Sequence, residues 1–401
     1  MQPEDLNIDR IGILGPGRLG TAFAYKFARD GKRVTLYHPD GEICRDINRE
    51  RQNPRHLTED LGRLLGGVDR VPRLGSRVAA TNDLQRVVDE NDFLLLSVTM
   101  QRLPDLLYDL KPCLERKGGA TCLVSPIKGL LSDTMRRDLI TPSRLIRQSL
   151  AGLEPLYRAV CIGGPFFERD IALGRPVCVT VAGPRRMSLL FRDAFIAADR
   201  RELCAYYNCD AVGTELCGAL KNIVANMKGL TDSLDLGDSM SGTLFARAGV
   251  EIRAISRILG GSFQTFFSQA GVGDMYVTVS SEASKNYRYG RLYHELYQGN
   301  PVETHRLVLE RIDGTPEGPN AIRHVYDYLE RKNMYSPLFR CAHALFNAGG
   351  DRKGFRSQAI EAMQFDRRER EYIGGISRIA YWLLPKAWYR RDRGLLAGWR
   401  R

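Results

Sequence analysis

Apolar positions along this chain follow two regimes. Up to about residue 210 they gather in short runs, at 11–14, 33–37, 93–98, 120–125, 159–163 and 177–182, with helical stretches between them. Short apolar runs between turn signals read as buried strands. Strands that alternate with helices predict a largely parallel sheet covered by helices on both faces. From about Asp210 the runs stop. Apolar residues then recur at helical spacing through 212–234, 242–259, 320–332 and 337–348, which predicts an all-helical second domain. The expected division is 1–205, 206–350 and an extension over 351–401.

The first run opens a glycine loop. Ile11, Ile13 and Leu14 precede Gly15, Pro16, Gly17, Arg18, Leu19 and Gly20, and a helical stretch follows from Thr21. The glycines fit the G-x-G-x-x-G spacing. One makes a tight turn, one lets backbone approach a pyrophosphate, and one lets helix pack on strand. The free N–H groups of the following helix then face the phosphates. With a second strand at 33–37, this context predicts a dinucleotide-binding, Rossmann-type doubly wound α/β domain. Residues 15–20 are its candidate cofactor contacts. Asp40 lies about twenty residues past the last glycine, where an acid can hold a ribose hydroxyl. It also reads as a turn residue after Pro39, and Arg45 and Arg49 offer partners for a phosphate instead. NAD and NADP both stay open.

Polar groups stand where a core would not choose them. In the segment 215–229, Leu216, Leu220, Ile223 and Met227 form one helical stripe, and Lys221 and Asn222 interrupt it. Burying a lysine costs several kcal/mol unless a partner or ligand compensates. The plain alternative is a lysine that snorkels to the surface. Lys128 follows directly on the run 120–125, at the strand end where ligands of such sheets bind. It is either a surface residue at a helix start or an active-site cation. Gly163, Gly164, Pro165 and Phe166 follow the next strand as a turn or a ligand approach. Asp274, Thr278, Ser280, Ser281, Ser284, Lys285 and Asn286 lie in one short span. Such groups suit a phosphate, or a solvated loop.

Together these motifs resemble the NAD(P)-dependent glycerol-3-phosphate dehydrogenase family over roughly residues 9–350. The likeness rests on the glycine loop, Ile127-Lys128-Gly129, Gly164-Pro165-Phe166 and Gly218-Ala-Leu-Lys221-Asn222. Phe245-Ala-Arg247-Ala-Gly249, Gly271-Val-Gly273-Asp274, Thr278, Ser284-Lys285-Asn286 and Pro316-Glu317-Gly318 complete it. The resemblance implies a helical substrate domain like the C-terminal domain of 6-phosphogluconate dehydrogenase. It implies reversible hydride transfer between a nicotinamide and dihydroxyacetone phosphate, in a homodimer that supplies glycerol 3-phosphate to phospholipid synthesis. Lys221 then exchanges the proton of the C2 alkoxide. Lys128 polarises the carbonyl and touches cofactor and substrate, and two neighbouring ammonium groups lower a lysine pKa toward working pH. Asp274 pairs with Lys221 and aims it, supported by Thr278. Asn222, Lys285 and Asn286 hold the phosphate, Gly164 lies against substrate, and Glu317 touches the cofactor. The chain departs from the family pattern at Lys285 for an arginine, Phe166 for a serine, Thr99-Met100 for Pro-Ser, and Leu19 for an aromatic. An arginine-to-lysine change loses bidentate phosphate geometry. A reductase of the same build on another small oxo or hydroxy compound, and a non-catalytic cofactor-binding protein, are the alternative readings.

Charge adds one feature. Residues 351–401 hold 13 Lys/Arg and 6 Asp/Glu, a net +7 of the chain's +12, and all three tryptophans, Trp382, Trp388 and Trp399. Basic residues with interfacial aromatics suit peripheral contact with an anionic membrane; an arm packed on the protein itself is the alternative. No recognised nucleic-acid module is present. Nine cysteines without a C-x-x-C pair suit reduced thiols. No H-x-x-x-H spacing points to a metal. Residues 1–10 show no signal-peptide pattern, and no run is long enough to span a membrane. The expected location is cytoplasmic.

Overall fold

The computed structural model describes residues 6–364 apart from 134–137, 155, 197–201 and 313. Of the tail reading over 351–401, residues 365–401, including the three tryptophans, lie outside the described residues. The chain forms two compact units. Unit 1 combines residues up to 129 with 141–215 and 267–274; unit 2 combines 130–140, 216–266 and the chain from 275.

Ten strands occur among the described residues: β1 (Arg10–Leu14), β2 (Arg33–Tyr37), β3 (Val78–Thr81), β4 (Phe93–Leu96), β5 (Thr121–Ser125), β6 (Leu131–Asp133), β7 (Asp138–Ile140), β8 (Tyr157–Gly163), β9 (Val177–Ala182) and β10 (Leu203–Asn208). Eight of them form the sheet of unit 1 in the order β10-β9-β8-β5-β4-β1-β2-β3. Neighbours run parallel except β8 and β9, which pair antiparallel through Cys161–Gly163. Every residue of β4 and β5 is buried. This is why Phe93–Leu96 and the middle of β5, Cys122 to Val124, are continuous apolar runs rather than alternating ones.

Two strands of this sheet had no apolar run to announce them. β3 is a short Val-Ala-Ala-Thr segment. β10 reads Leu-Cys-Ala-Tyr-Tyr-Asn, with Leu203 and Ala205 buried and Tyr206 exposed, as an edge strand covered on one face. The run at 93–98 ends as a strand at Leu96. Ser97 N still bonds Leu14 O at 2.8 Å, but its carbonyl closes over the glycine loop.

Unit 2 is helical. The helix Ala211–Ser233 begins in unit 1 and continues here, followed by Gly237–Ile258, Lys285–Leu296, Pro301–Leu309, Gly318–Arg331, Pro337–His343 and Phe355–Met363. One addition was not read from the sequence: β6 and β7 form an antiparallel hairpin that packs on Gly318–Arg331. There Ser132 Oγ meets His324 Nδ1 at 2.9 Å.

Two close helix contacts fix this unit. A Cβ at Gly229 would stand 1.9 Å from Tyr287 O, and one at Gly290 1.8 Å from Asn226 O. Only glycine lets Ala211–Ser233 and Lys285–Leu296 cross backbone to backbone, and that crossing sets Asn222 beside Asn286. Along Lys285–Leu296, Tyr289 and Tyr293 stack onward to Tyr297 and Phe346 as a buried aromatic ladder. On Gly237–Ile258, buried Arg247 donates to Glu251 at 2.8 Å. Glu251 also accepts from Ser336 and from the backbone N of Leu338 at 3.0 Å and Phe339 at 3.3 Å. A buried carboxylate thereby meets the free N–H groups of Pro337–His343.

Candidate active site

The glycine loop follows β1 in unit 1. Gly15 has φ +98°, and a Cβ there would lie 2.7 Å from Ser97 O. A Cβ at Gly20 would lie 2.3 Å from Gly15 O, whereas one at Gly17 would meet nothing within 4 Å. The loop is therefore closed on its inner side and bare at Gly17, at the start of the helix Arg18–Arg29. That is the cradle a dinucleotide pyrophosphate needs. Arg18 does not point freely outward: its Nε donates to Glu168 at 2.7 Å, and it pairs with Asp60.

Sequence reasoning missed what holds this loop. Fully buried Asn53 donates through Nδ2 to Pro16 O at 2.6 Å and to Thr21 Oγ1 at 2.9 Å. Its own carbonyl takes a hydrogen bond from Thr58 Oγ1 at 2.7 Å. Nothing in the spacing of Asn53 signals this, because the contact is made 37 residues from Pro16.

At the end of β2, Asp40 caps the helix Gly41–Glu50 by accepting from Glu42 N at 2.8 Å. This hydrogen bond, first among the causes, holds its carboxyl below the usual range. Arg55 approaches it to 3.9 Å, while Arg45 pairs with Glu42 at 3.6 Å and Arg49 with Glu50 at 2.8 Å.

Lys128 follows β5, also in unit 1. Its Nζ lies 2.9 Å from Asp274 Oδ2, donates to Gly164 O at 3.1 Å, and stands 4.1 Å from the centroid of the Phe166 ring. Asp274 is completely buried. Gly164 has φ +128° and packs so closely that a Cβ would be 2.9 Å from Cys178 O. Lys128, Gly164, Phe166 and Asp274 thus come from three chain segments to one point. Within unit 1 the Asp274 carboxylate pairs with Lys128, a contact the sequence reading did not name.

In unit 2, Lys221 is 6% exposed and donates to Thr278 Oγ1 at 2.6 Å. The stripe residues Leu216, Leu220, Ile223 and Met227 are all buried. Asn222 Oδ1 accepts from Asn286 Nδ2 at 3.0 Å, and Asn286 Oδ1 accepts from Gly318 N at 2.9 Å. Lys285 opens its helix, capped by Ser284 Oγ accepting from Tyr287 N at 3.3 Å. Its Nζ reaches to 2.5 Å from where a Cβ of Gly314 would stand. Burial pushes the Glu317 carboxyl up to about 7, against the opposing pull of the Lys285 charge. Unit 2 therefore gathers Lys221 with Thr278, Asn222 with Asn286, and Lys285 with Glu317. Among the described residues, no group of three or more His, Cys, Asp or Glu is placed to hold a metal.

In unit 1 the Lys128 ammonium can steady a developing oxyanion; in unit 2 the buried Lys221 amine can exchange a proton. Residues 10–188 match the NAD-dependent glycerol-3-phosphate dehydrogenase N-terminus, and 210–354 the C-terminus of the same family. A glycerol-3-phosphate dehydrogenase (NAD(P)+) of Halorhodospira halophila is 31% identical over 336 residues, 82% of this chain and 89% of that one. One from Geobacillus thermodenitrificans is 28% identical over 365 residues, 91% of this chain and 97% of that one. Among solved structures, glycerol-3-phosphate dehydrogenase of Coxiella burnetii shares the fold with TM-score 0.75 at 23% identity, over 88% of this chain and 98% of that one. That of Saccharomyces cerevisiae does so with TM-score 0.70 at 19% identity, over 87% and 99%. With both halves of the family matched in order, and a relative 31% identical over 89% of its length, the chain belongs to the NAD-dependent glycerol-3-phosphate dehydrogenase family.

Proposed function

We propose that the protein interconverts dihydroxyacetone phosphate and sn-glycerol 3-phosphate, using NAD or NADP. The observation that carries this reading is Lys221, an ammonium beside the buried apolar stripe of its helix, 6% exposed and bonded to a hydroxyl at 2.6 Å. Keeping such a group buried is costly, and proton exchange with a substrate alkoxide gives it a use.

The bound nicotinamide supplies or accepts the hydride. The chain does the rest. The bare backbone at Gly17, the helix start at Arg18 and the flanking Pro16, Leu19 and Gly20 hold the pyrophosphate, and Glu317 contributes to the cofactor site. Lys128, fixed by Asp274 and Gly164, polarises the C2 carbonyl and neutralises the oxyanion. Lys221 gives that oxygen its proton, or removes it in the oxidative direction, and Thr278 orients the amine. Asn222, Asn286 and Lys285 bind the substrate phosphate. Their binding energy on a non-reacting group positions the carbonyl. Lys285 acts as a point charge rather than a fork.

The test is nicotinamide absorbance with purified protein, dihydroxyacetone phosphate, and NADH or NADPH in turn. Turnover supports the reading and ranks the cofactors. Cofactor binding without turnover moves the reading to another small oxo compound.

The same resemblance supports a homodimer and a role in supplying glycerolipid synthesis. Among the described residues no helix is long and apolar enough to cross a membrane. The net +7 and three tryptophans of residues 351–401 support peripheral contact with an anionic membrane. Pelleting of full-length but not tail-deleted protein with anionic vesicles checks it.

A further inference from the structure

Phe166 stands where the family pattern has a small hydroxyl residue, and it does more than fill space. Its ring presents a face to the Lys128 ammonium, with Nζ 4.1 Å from the centroid. The ring is 8% exposed and cannot swing into solvent. Its own backbone is pinned by Phe166 N donating to Gly164 O at 3.0 Å, the carbonyl that also accepts from Lys128 Nζ at 3.1 Å. The ring also packs in a T-shaped contact with Phe23, centroids 6.3 Å apart, and Phe23 stacks on Phe27 at 5.7 Å. Phe23 and Phe27 belong to the helix that starts at the glycine loop.

We propose that Phe166 is a positioning residue for Lys128, holding the ammonium through the electron-rich face of its ring in place of a hydroxyl contact. This rests on the reading of Lys128 as the polarising cation. The physical argument is one of geometry and exclusion. Asp274 and the Gly164 carbonyl attract the ammonium from the protein side, and the ring covers it within the distance at which a cation and an aromatic face attract. A serine there would exchange hydrogen bonds with water or ligand and leave the amine freer to rotate. The ring offers no hydrogen bond, excludes water, and is itself anchored to the helix behind the glycine loop. A lysine so held keeps one orientation, which is what a preorganised cation requires.

The test replaces Phe166 by mono-, di- and trifluorinated phenylalanine, which drains the ring face of electron density while keeping its shape. Expected is a stepwise fall in kcat with dihydroxyacetone phosphate, reaching about tenfold, equivalent to about 1.4 kcal/mol, with melting temperature and the KM for cofactor unchanged. Phe166→Leu is expected to lose a similar factor. A level kcat across the fluorinated series overturns the proposal, because the ring then only fills space. A second readout does not depend on activity. In lysine-labelled protein the Lys128 ε-methylene protons should be shifted upfield by the ring current, and Phe166→Leu should return them to the bulk position. An unshifted Lys128 signal in the wild-type protein overturns the contact itself. If Lys128→Met keeps full turnover while the ring-current shift is present, the role given to Lys128 fails and the contact stands.

Discussion

Lys128 and Asp274 are 146 residues apart in the chain, yet their charged groups meet at 2.9 Å, with the carboxylate completely buried. A buried charge left without its partner typically costs about 3–5 kcal/mol. The pair is therefore both a structural clamp and the source of a fixed positive charge beside Gly164. Asp274→Asn should lower melting temperature and reduce kcat about a hundredfold, the scale of losing one preorganised electrostatic group. Steady-state kinetics beside a thermal melt checks it. An Asp274→Asn protein with wild-type kcat would remove Asp274 from the mechanism.

Lys221 and Thr278 form the corresponding contact in unit 2, at 2.6 Å. If Lys221 carries the proton, Lys221→Ala should lose about 10²–10⁴-fold in kcat with little change in KM, the range for a general acid–base group. Thr278→Val keeps the shape and removes the hydroxyl, and should lose a smaller factor. Steady-state kinetics of both variants reads the difference: kcat should fall further in Lys221→Ala than in Thr278→Val.

Phosphate recognition has a testable weak point in Lys285. Lys285→Arg should lower KM for dihydroxyacetone phosphate several-fold with kcat nearly constant, because a guanidinium forks onto phosphate oxygens and an ammonium does not. Asn286→Ala should raise that KM. It also breaks the links to Asn222 Oδ1 at 3.0 Å and Gly318 N at 2.9 Å. A substrate KM insensitive to both changes would move the phosphate elsewhere.

The glycine loop should depend on Asn53. Its removal takes away the amide that donates to Pro16 O at 2.6 Å and to Thr21 Oγ1 at 2.9 Å, leaving only the Thr21 Oγ1 to Pro16 O bond at 3.2 Å between them. Asn53→Ala should weaken NADH binding about tenfold, by calorimetry, with little effect on kcat at saturating cofactor. Saturating NADH at about a hundred times Kd should stabilise the wild-type fold by about 2.7 kcal/mol. An Asn53→Ala variant should gain less at the same concentration.

Glu215 gives the fold a pH dependence of defined sign. It is fully buried and accepts from Ser143 N at 2.8 Å and Ser143 Oγ at 2.7 Å. Burial, the dominant cause, pushes its carboxyl up from 4.5 to about 7. A folded-state pKa above the unfolded one favours folding while the group is protonated. That contribution is complete below the unfolded value and is lost as pH rises through the folded one. Between about pH 4.5 and pH 8 it amounts to on the order of 3 kcal/mol. Glu215→Gln should flatten this slope in urea unfolding. Parallel curves for the two proteins would mean that Glu215 stays ionised across the range.

How much of this was legible in the sequence depends on the range of the physics involved. The glycine loop is local: turn, backbone approach and helix start lie within six consecutive residues, so spacing alone reveals it. The buried strands β4 and β5 and the stripe of Leu216, Leu220, Ile223 and Met227 are local as well, because periodicity reports which face is dry. Lys221 and Asn222 stood out against that stripe for the same reason.

What the tertiary structure decided is made by segments distant in the chain. The Lys128–Asp274 pair could not be read from spacing, since an ion pair depends on where β5 and the 267–274 segment are carried. Asn53 reaches Pro16 across 37 residues. The hairpin of β6 and β7 joins the helical unit although it lies in sequence amid the strands of the other. Phe166 read as a departure from a family pattern, and only the fold turned its face to Lys128. Residue pattern fixes which surfaces are buried and which backbone is bare; which charges and rings then meet is set by packing at long range in sequence.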